Sequence, residues 1–327
     1  MRDIKKLDAN ILEIHYWLAN NSHSMDAKVF YSCQQELLGL IEYIAKQFRA
    51  TISIETFPLE EGGIKTWLKA NGLKSVAIPL FVTLVGNVLS SPPSVAIGKL
   101  VEHKIEEYLK SPEIKELEKL RNEKEKLILE AEIAELRENS LKFKTQHTDT
   151  AIRVRRSNYY QKLVDYKDLE KISFEQKDHP HGDKNVWEET VLKESFSSYQ
   201  FDPPEIDPIE HKEAMIEIIA PVLKRSTQKW RGIYEKKNIL FRMSDKEFQN
   251  DVYSRKISFS NGSILHCLLL EKQKINGDGE VGTPEYEVIE VNDISINGVP
   301  QEAIRSYKSK KQQENYVYPS LFDSIDI

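Results

Sequence analysis

Between Lys74 and Lys99 the chain runs for 24 residues, 75–98, without an ionisable side chain. Charged residues make up 30% of the sequence, so a gap of this length needs an apolar environment and narrows the architecture to two kinds. A helix needs about 20 apolar residues to cross a bilayer core. The whole run is long enough, but its strongly apolar part, 76–89, has 14 residues, and Pro79, Asn87, Ser90, Ser91, Pro92 and Pro93 interrupt it. In one reading the segment enters or crosses a membrane, and several copies line a pore, because one short span cannot form a pore alone. Polar groups at membrane depth then face a bundle interior or water. Thr83, Asn87, Ser90 and Ser91 become the candidate pore-lining residues, the first three spaced by four and three along one helical face. In the other reading, 76–89 is the central helix of a protein core, hydrophobic all round.

Upstream, residues 11–18 are rich in β-formers and predict a strand. Val29, Leu37, Leu40, Ile41, Ile44 and Phe48 recur at helical spacing and predict a helix over about 26–48. Residues 51–56 alternate as a second strand, closed by Pro58 and Gly62-Gly63. Residues 1–73 therefore read as a small α/β domain, followed by a hydrophobic helical segment, 74–110. Pro112 marks a helix start, and 111–145 reads as a helical stalk. Leu120, Leu127, Ala134 and Leu141 repeat every seven residues, giving it coiled-coil character. The partner row Leu117, Lys124, Ala131 and Glu138 is mixed, which equally suits a solvated helix held by Glu–Lys pairs.

Residues 145–151 look like a linker opening a β-rich domain, 146–327. Arg153, Arg155 and Arg156 beside Tyr159 and Tyr160 are the candidate ligand-binding residues: guanidinium forks match phosphate oxygens, and aromatic faces stack on bases. A basic helix whose tyrosines pack inward is the alternative. The Asp-His-Pro-His-Gly-Asp run at 178–183 reads as a turn rather than a metal site, since no third matched ligand accompanies it. From 186 onward, six or seven short strands predict a small antiparallel barrel or sandwich. Ser244-Asp245-Lys246-Glu247 suggests a helix cap, and Asn261-Gly262 a hairpin joining 256–260 to 264–270. Residues 305–311 are basic, and 316–322 dock on a neighbour or fray. The fold class expected from these pieces is α+β.

With 52 acidic against 46 basic residues, the net charge of −6 excludes a generally basic nucleic-acid coat. Two cysteines cannot build a disulfide framework, and a reducing compartment fits. Residues 1–10 lack the apolar core of a secretory signal, which puts the N-terminus in the cytosol. No Walker A loop, Gly-x-Ser-x-Gly elbow, His-Glu-x-x-His or dinucleotide fingerprint is present. Accordingly no catalytic residue, cofactor or metal is nominated, and the chain is expected not to be an enzyme.

The order of an α/β module, one broken apolar segment at 75–98, a coiled stretch and a β-rich module resembles the channel-forming membrane effectors of Hailong-type bacterial antiphage defence systems. That resemblance implies an oligomeric ion channel gated by a bound nucleotide or single-stranded oligonucleotide. It implies a homo-oligomer, for which a tetramer is one arrangement, and a bilayer partner. The location would be the bacterial inner membrane with cytoplasmic domains, or the cytoplasm if 75–98 is a core helix. The competing function is a soluble, non-catalytic adaptor with a helical stalk that binds protein or nucleic acid.

Overall fold

Six of the eight residues Ile11–Leu18 are β-branched, aromatic or leucine, and they form the first strand, β1, with side chains alternating between two faces. The computed structural model describes residues 9–22, 24–49, 53–56, 64–71, 77–120, 122–178, 186–296 and 299–300. The expected turn at 179–183, the basic run at 305–311 and the docking stretch at 316–322 lie outside the described residues. The chain divides between Pro204 and Glu205, with Asn276–Glu280 grouped with the first unit.

In the first unit, β1 is followed by α1 (Ala27–Gln47), β2 (Ser53–Thr56), β3 (Ile64–Asn71), α2 (Ala77–Ser90), α3 (Ile97–Leu109), α4 (Pro112–Leu120), α5 (Glu123–Lys142), α6 (Gln146–Val164), β4 (Leu169–Lys177) and β5 (Trp187–Leu192). The sheet order is β2-β3-β1-β4-β5, and every pairing is antiparallel. Leu12, Ile14 and Tyr16 lie on the helix side of the sheet, in one core with Leu37, Leu40 and Ile41 of α1, the apolar residues of α2, and Ile152 and Leu163 of α6. The opposite side of the same strand carries Glu13, His15 and Trp17. Glu13 stands directly across from Glu175, in ion pairs with Lys177 and Lys65.

The apolar heart of the uncharged run is a core helix, α2. α2 has 14 residues, about 21 Å at 1.5 Å per residue, against a hydrocarbon layer of about 30 Å. No helix among the described residues is long and apolar enough to cross a membrane. Ten of its residues, from Pro79 to Leu89, are buried by protein: Leu80, Val82, Val85 and Val88 belong to the core, and Phe48 meets Phe81 edge to face. The expected membrane segment, the bilayer partner and the inner-membrane location are therefore corrected, and with them the channel and the resemblance that implied it. The apolar environment that the missing charges demanded is the chain's own.

The stalk is corrected too. Residues 111–145 form two helices, α4 and α5, and Asn122 opens the second with a reciprocal capping box to Glu125. α5 buries Leu129 and Leu136, with Ile133 packed beside them, in the core of the first unit. The heptad row expected to form a seam points the other way, with Leu127, Ala134 and Leu141 exposed. Residues 146–164, expected as linker and basic cluster, are the helix α6. The Thr145 hydroxyl accepts the Thr148 N–H at its start.

The second unit contains β6 (Ile209–Ala220), β7 (Trp230–Tyr234), β8 (Lys237–Met243), α7 (Lys246–Tyr253), β9 (Ser263–Lys272), β10 (Glu285–Ile296) and the short β11 (Val299–Pro300). Around the barrel the order is β6-β7-β8-β10-β9 and back to β6, closed by the β10–β9 and β6–β9 pairings. β8 and β10 run parallel, and all other neighbours antiparallel. Five strands closed in this order, with a helix between the third and fourth, make a Greek-key barrel of the OB type. Inward residues Ile216, Trp230, Phe241, Leu265, Cys267, Leu269 and Val288 fill it, and α7 adds Phe248 and Val252. Asp245, rather than Ser244, caps α7. Its carboxylate accepts the N–H of Phe248 and that of Val291. Residues 256–260, expected as a hairpin strand, join no ladder, because Ile257 and Phe259 fold onto the Trp230 cluster instead.

Candidate functional site

The four polar residues expected in a pore lie on and beside α2, inside the first unit. The Thr83 hydroxyl sits 2.8 Å from both the Pro79 carbonyl and Gln176 Oε1, and Asn87 Nδ2 donates to the Thr83 carbonyl at 2.8 Å. Ser90 and Ser91 end the helix. The last carbonyls of an α-helix lack partners within the helix, and here side chains from far along the chain supply them. Arg156 Nη1 donates to Val88 O at 3.0 Å and to Ser91 O at 3.2 Å. Tyr160 donates to Leu89 O at 2.8 Å, and Tyr199 to Ser90 O at 2.9 Å. A guanidinium here also complements the negative end of the helix dipole.

The arginine–tyrosine cluster is accordingly brought together on α6, and most of its polar atoms are engaged by the first unit itself, although Arg155 Nε and Arg156 Nε are buried without a hydrogen-bond partner. Arg153 pairs with Asp149 at 2.6 Å and donates to the carbonyls of Pro93 and Val95, which holds the double-proline turn in place. Asp149 in turn accepts the Ile97 N–H and so caps α3. Arg155 lies over the Tyr43 ring and 3.4–3.5 Å from Glu280 and Asp278. Arg156 is 2% exposed, and burial lowers its pKa from the ordinary value. Tyr159 is fully buried, with its hydroxyl 3.0 Å from that of Tyr16. Tyr160 stacks on Tyr199 with centroids 4.1 Å apart. Burial pushes both phenols upward.

The two thiols are buried as well. Burial pushes Cys33 up to about 11 and Cys267 up to about 12, so both are protonated at neutral pH, and neither supplies a thiolate. Among the described residues no group of three or more His, Cys, Asp or Glu side chains is arranged to hold a metal ion.

An open groove of about 980 Å³ lies on the barrel unit. One wall is the end of β6, with Glu217, Ile218 and Ile219, and the loop that follows, with Pro221, Leu223 and Lys224. The other wall is the end of α7, with Val252 and Tyr253, and the segment from Arg255 to Asn261. Local chemistry shapes this second wall. Arg255 takes a left-handed backbone (φ 63°) where α7 ends, and its N–H bonds to Val252 O at 3.1 Å. Ser263 Oγ donates to Ser260 O and accepts the Ser260 N–H, fixing the entry to β9. Ile219 and Leu223 leave 47% and 59% of their surface exposed, an apolar cost that a bound partner would relieve. Lys256 is paired with Asp251 at 2.9 Å, whereas Lys224 and Arg255 make no ion pair among the described residues. The groove thus combines aliphatic and aromatic walls with two cations, Lys224 and Arg255, and one carboxylate, Glu217.

These groove residues escaped the sequence reading. The signal available was the loop 221–229, which carries Lys224, Arg225 and Lys229 and no acid. No protein-family model, curated protein or solved structure matches this chain.

Proposed function

We propose that the chain is a non-catalytic binding protein whose barrel unit takes an extended peptide segment bearing apolar side chains and at least one carboxylate. The observation that supports this most directly is the lining of the 980 Å³ groove, where Ile218, Ile219, Leu223, Tyr253, Ile257 and Phe259 meet Lys224 and Arg255. Apolar walls provide the burial that drives association, and the two cations select an acidic partner and set its orientation. A nucleic-acid strand fits less well. Its affinity comes mainly from phosphate neutralisation along a basic track, whereas this groove has two cations against eight apolar residues and Glu217.

The test is fluorescence polarisation of labelled dodecapeptides composed of Leu, Ile, Phe and Asp, titrated with the full chain carrying Leu321→Ser with Phe322→Ser, so that no apolar segment of its own competes for the groove. Micromolar binding is expected, weakened about tenfold or more by Lys224→Glu with Arg255→Asp, in line with loss of close charge pairs. Tighter binding of single-stranded oligo-dT than of any peptide, or indifference to the two substitutions, would overturn the proposal.

A further inference from the structure

We infer that residues 316–327 of this same chain are the occupant of the barrel groove. The inference rests on the peptide reading of that groove and names what fills it. The segment reads Tyr-Val-Tyr-Pro-Ser-Leu-Phe-Asp-Ser-Ile-Asp-Ile, with seven apolar residues, two aspartates and no lysine or arginine. That composition complements walls that are apolar and aromatic with Lys224 and Arg255 set among them. It also contrasts with the stretch before it, where Arg305, Lys308, Lys310 and Lys311 would be repelled by the same cations.

Strand register shows that the reach is short. Glu217, in the groove wall, lies opposite Ile264 of β9. Ile264 lies opposite Ser295 of β10, and Ser295 opposite Pro300 of β11. Three strand spacings of about 4.8 Å put the last described residue within about 14 Å of the groove wall. From Pro300 to Tyr316 the chain has 16 residue steps. These span at most about 55 Å. The connection is long enough to enter the groove and short enough to hold the segment at an effective concentration on the order of millimolar. With an intrinsic Kd of about 10 μM, a tethered copy then weakens a free copy about 100-fold.

The experiment uses a fluorescein-labelled peptide of residues 314–327 and three forms of the full chain: unaltered, carrying Leu321→Ser with Phe322→Ser, and carrying those changes together with Lys224→Glu. Lys224 is exposed, so its replacement leaves the barrel core untouched. The tail-substituted chain should bind the peptide at least tenfold more tightly than the unaltered chain, because its own segment no longer competes. Adding Lys224→Glu should remove most of that binding. Equal binding by the first two forms, or none by the second, overturns the inference but leaves the groove's affinity for the dodecapeptides standing. Peptide binding that ignores Lys224→Glu places the segment elsewhere and overturns it too. A dimer that appears with concentration in sedimentation velocity, and vanishes in the tail-substituted chain, assigns the segment to a second copy and refutes occupancy within one chain.

Discussion

Replacing Lys177 by methionine tests how the buried carboxylate on β1 is tolerated. Glu13 is 1% exposed and has two cationic partners: Lys177, itself nearly buried, and Lys65, 3.1 Å away with 25% of its side chain exposed. Burial alone drives the Glu13 carboxyl upward. The hydrogen bonds and charges of Lys177 and Lys65 outweigh it and hold the group below its ordinary 4.5. Burial likewise lowers Lys177, but Glu13 and Glu175 outweigh that and hold it high. Removing one partner of a buried pair costs about 3–5 kcal/mol. The remaining Lys65 places the expected loss near the lower end, about 3 kcal/mol at neutral pH. The sign of the pH dependence follows from the shifts. In the unaltered protein the Glu13 contribution is fully present above the unfolded pKa and is lost as pH falls through the depressed folded value. In Lys177→Met, burial prevails and the carboxyl rises above its unfolded value, so protonation relieves the defect. Urea denaturation followed by tryptophan fluorescence should therefore show a gap of about 3 kcal/mol at pH 7 that shrinks to under about 1 kcal/mol near pH 4. Adding Glu13→Gln should bring stability back to within about 1 kcal/mol of the unaltered protein, with a flat pH profile. A gap that stays constant between the two pH values would refute the account.

Two further substitutions bear on the helices. A Cβ at Gly86 would lie 2.5 Å from Trp187 Cζ3 and 2.8 Å from Cη2, so Gly86→Ala should cost about 1–3 kcal/mol in the same assay. Combining it with Trp187→Leu, which opens that space, should recover part of the loss. Leu127→Glu with Leu141→Glu, on the outward row of α5, should change stability by less than about 0.5 kcal/mol and leave the mass in sedimentation unaltered.

Local patterns were legible in the sequence wherever a short window sets the conformation. The β-formers at residues 11–18, the apolar spacing of α1 and the helix start at 244–247, though not which of its residues caps it, all act over one or two turns or a single strand. What escaped was decided by partners far away in the chain. The missing charges at 75–98 demanded apolar surroundings, but whether lipid or protein supplied them depended on Phe48, Leu12 and the α6 side chains, about 30 to 75 residues distant. The double proline, read as a break in a span, is a turn held by Arg153. β4 went unrecognised because Leu169–Lys177 is charged at four positions. Those charges face the polar side of the sheet or solvent, while Ile172 and Phe174 enter the core. The seven-residue row of α5 was real as a spacing but marked the wrong face, since the buried pair Leu129 and Leu136 has the same interval. The groove was hidden for a related reason: it is assembled from three short segments, none of which carries a motif.

Because the carbonyl end of α2 is completed by donors as late as Tyr199, 109 residues downstream, the uncharged stretch of the chain leaves the ribosome long before its closing contacts exist. At about 5–20 residues per second, that interval lasts roughly 5–20 s. During it, Leu80, Val82, Val85 and Val88 have no finished core to enter. Production of this protein is thus exposed to translation speed and chaperone supply at one known window, and slowing synthesis past residue 90 should lower its soluble yield.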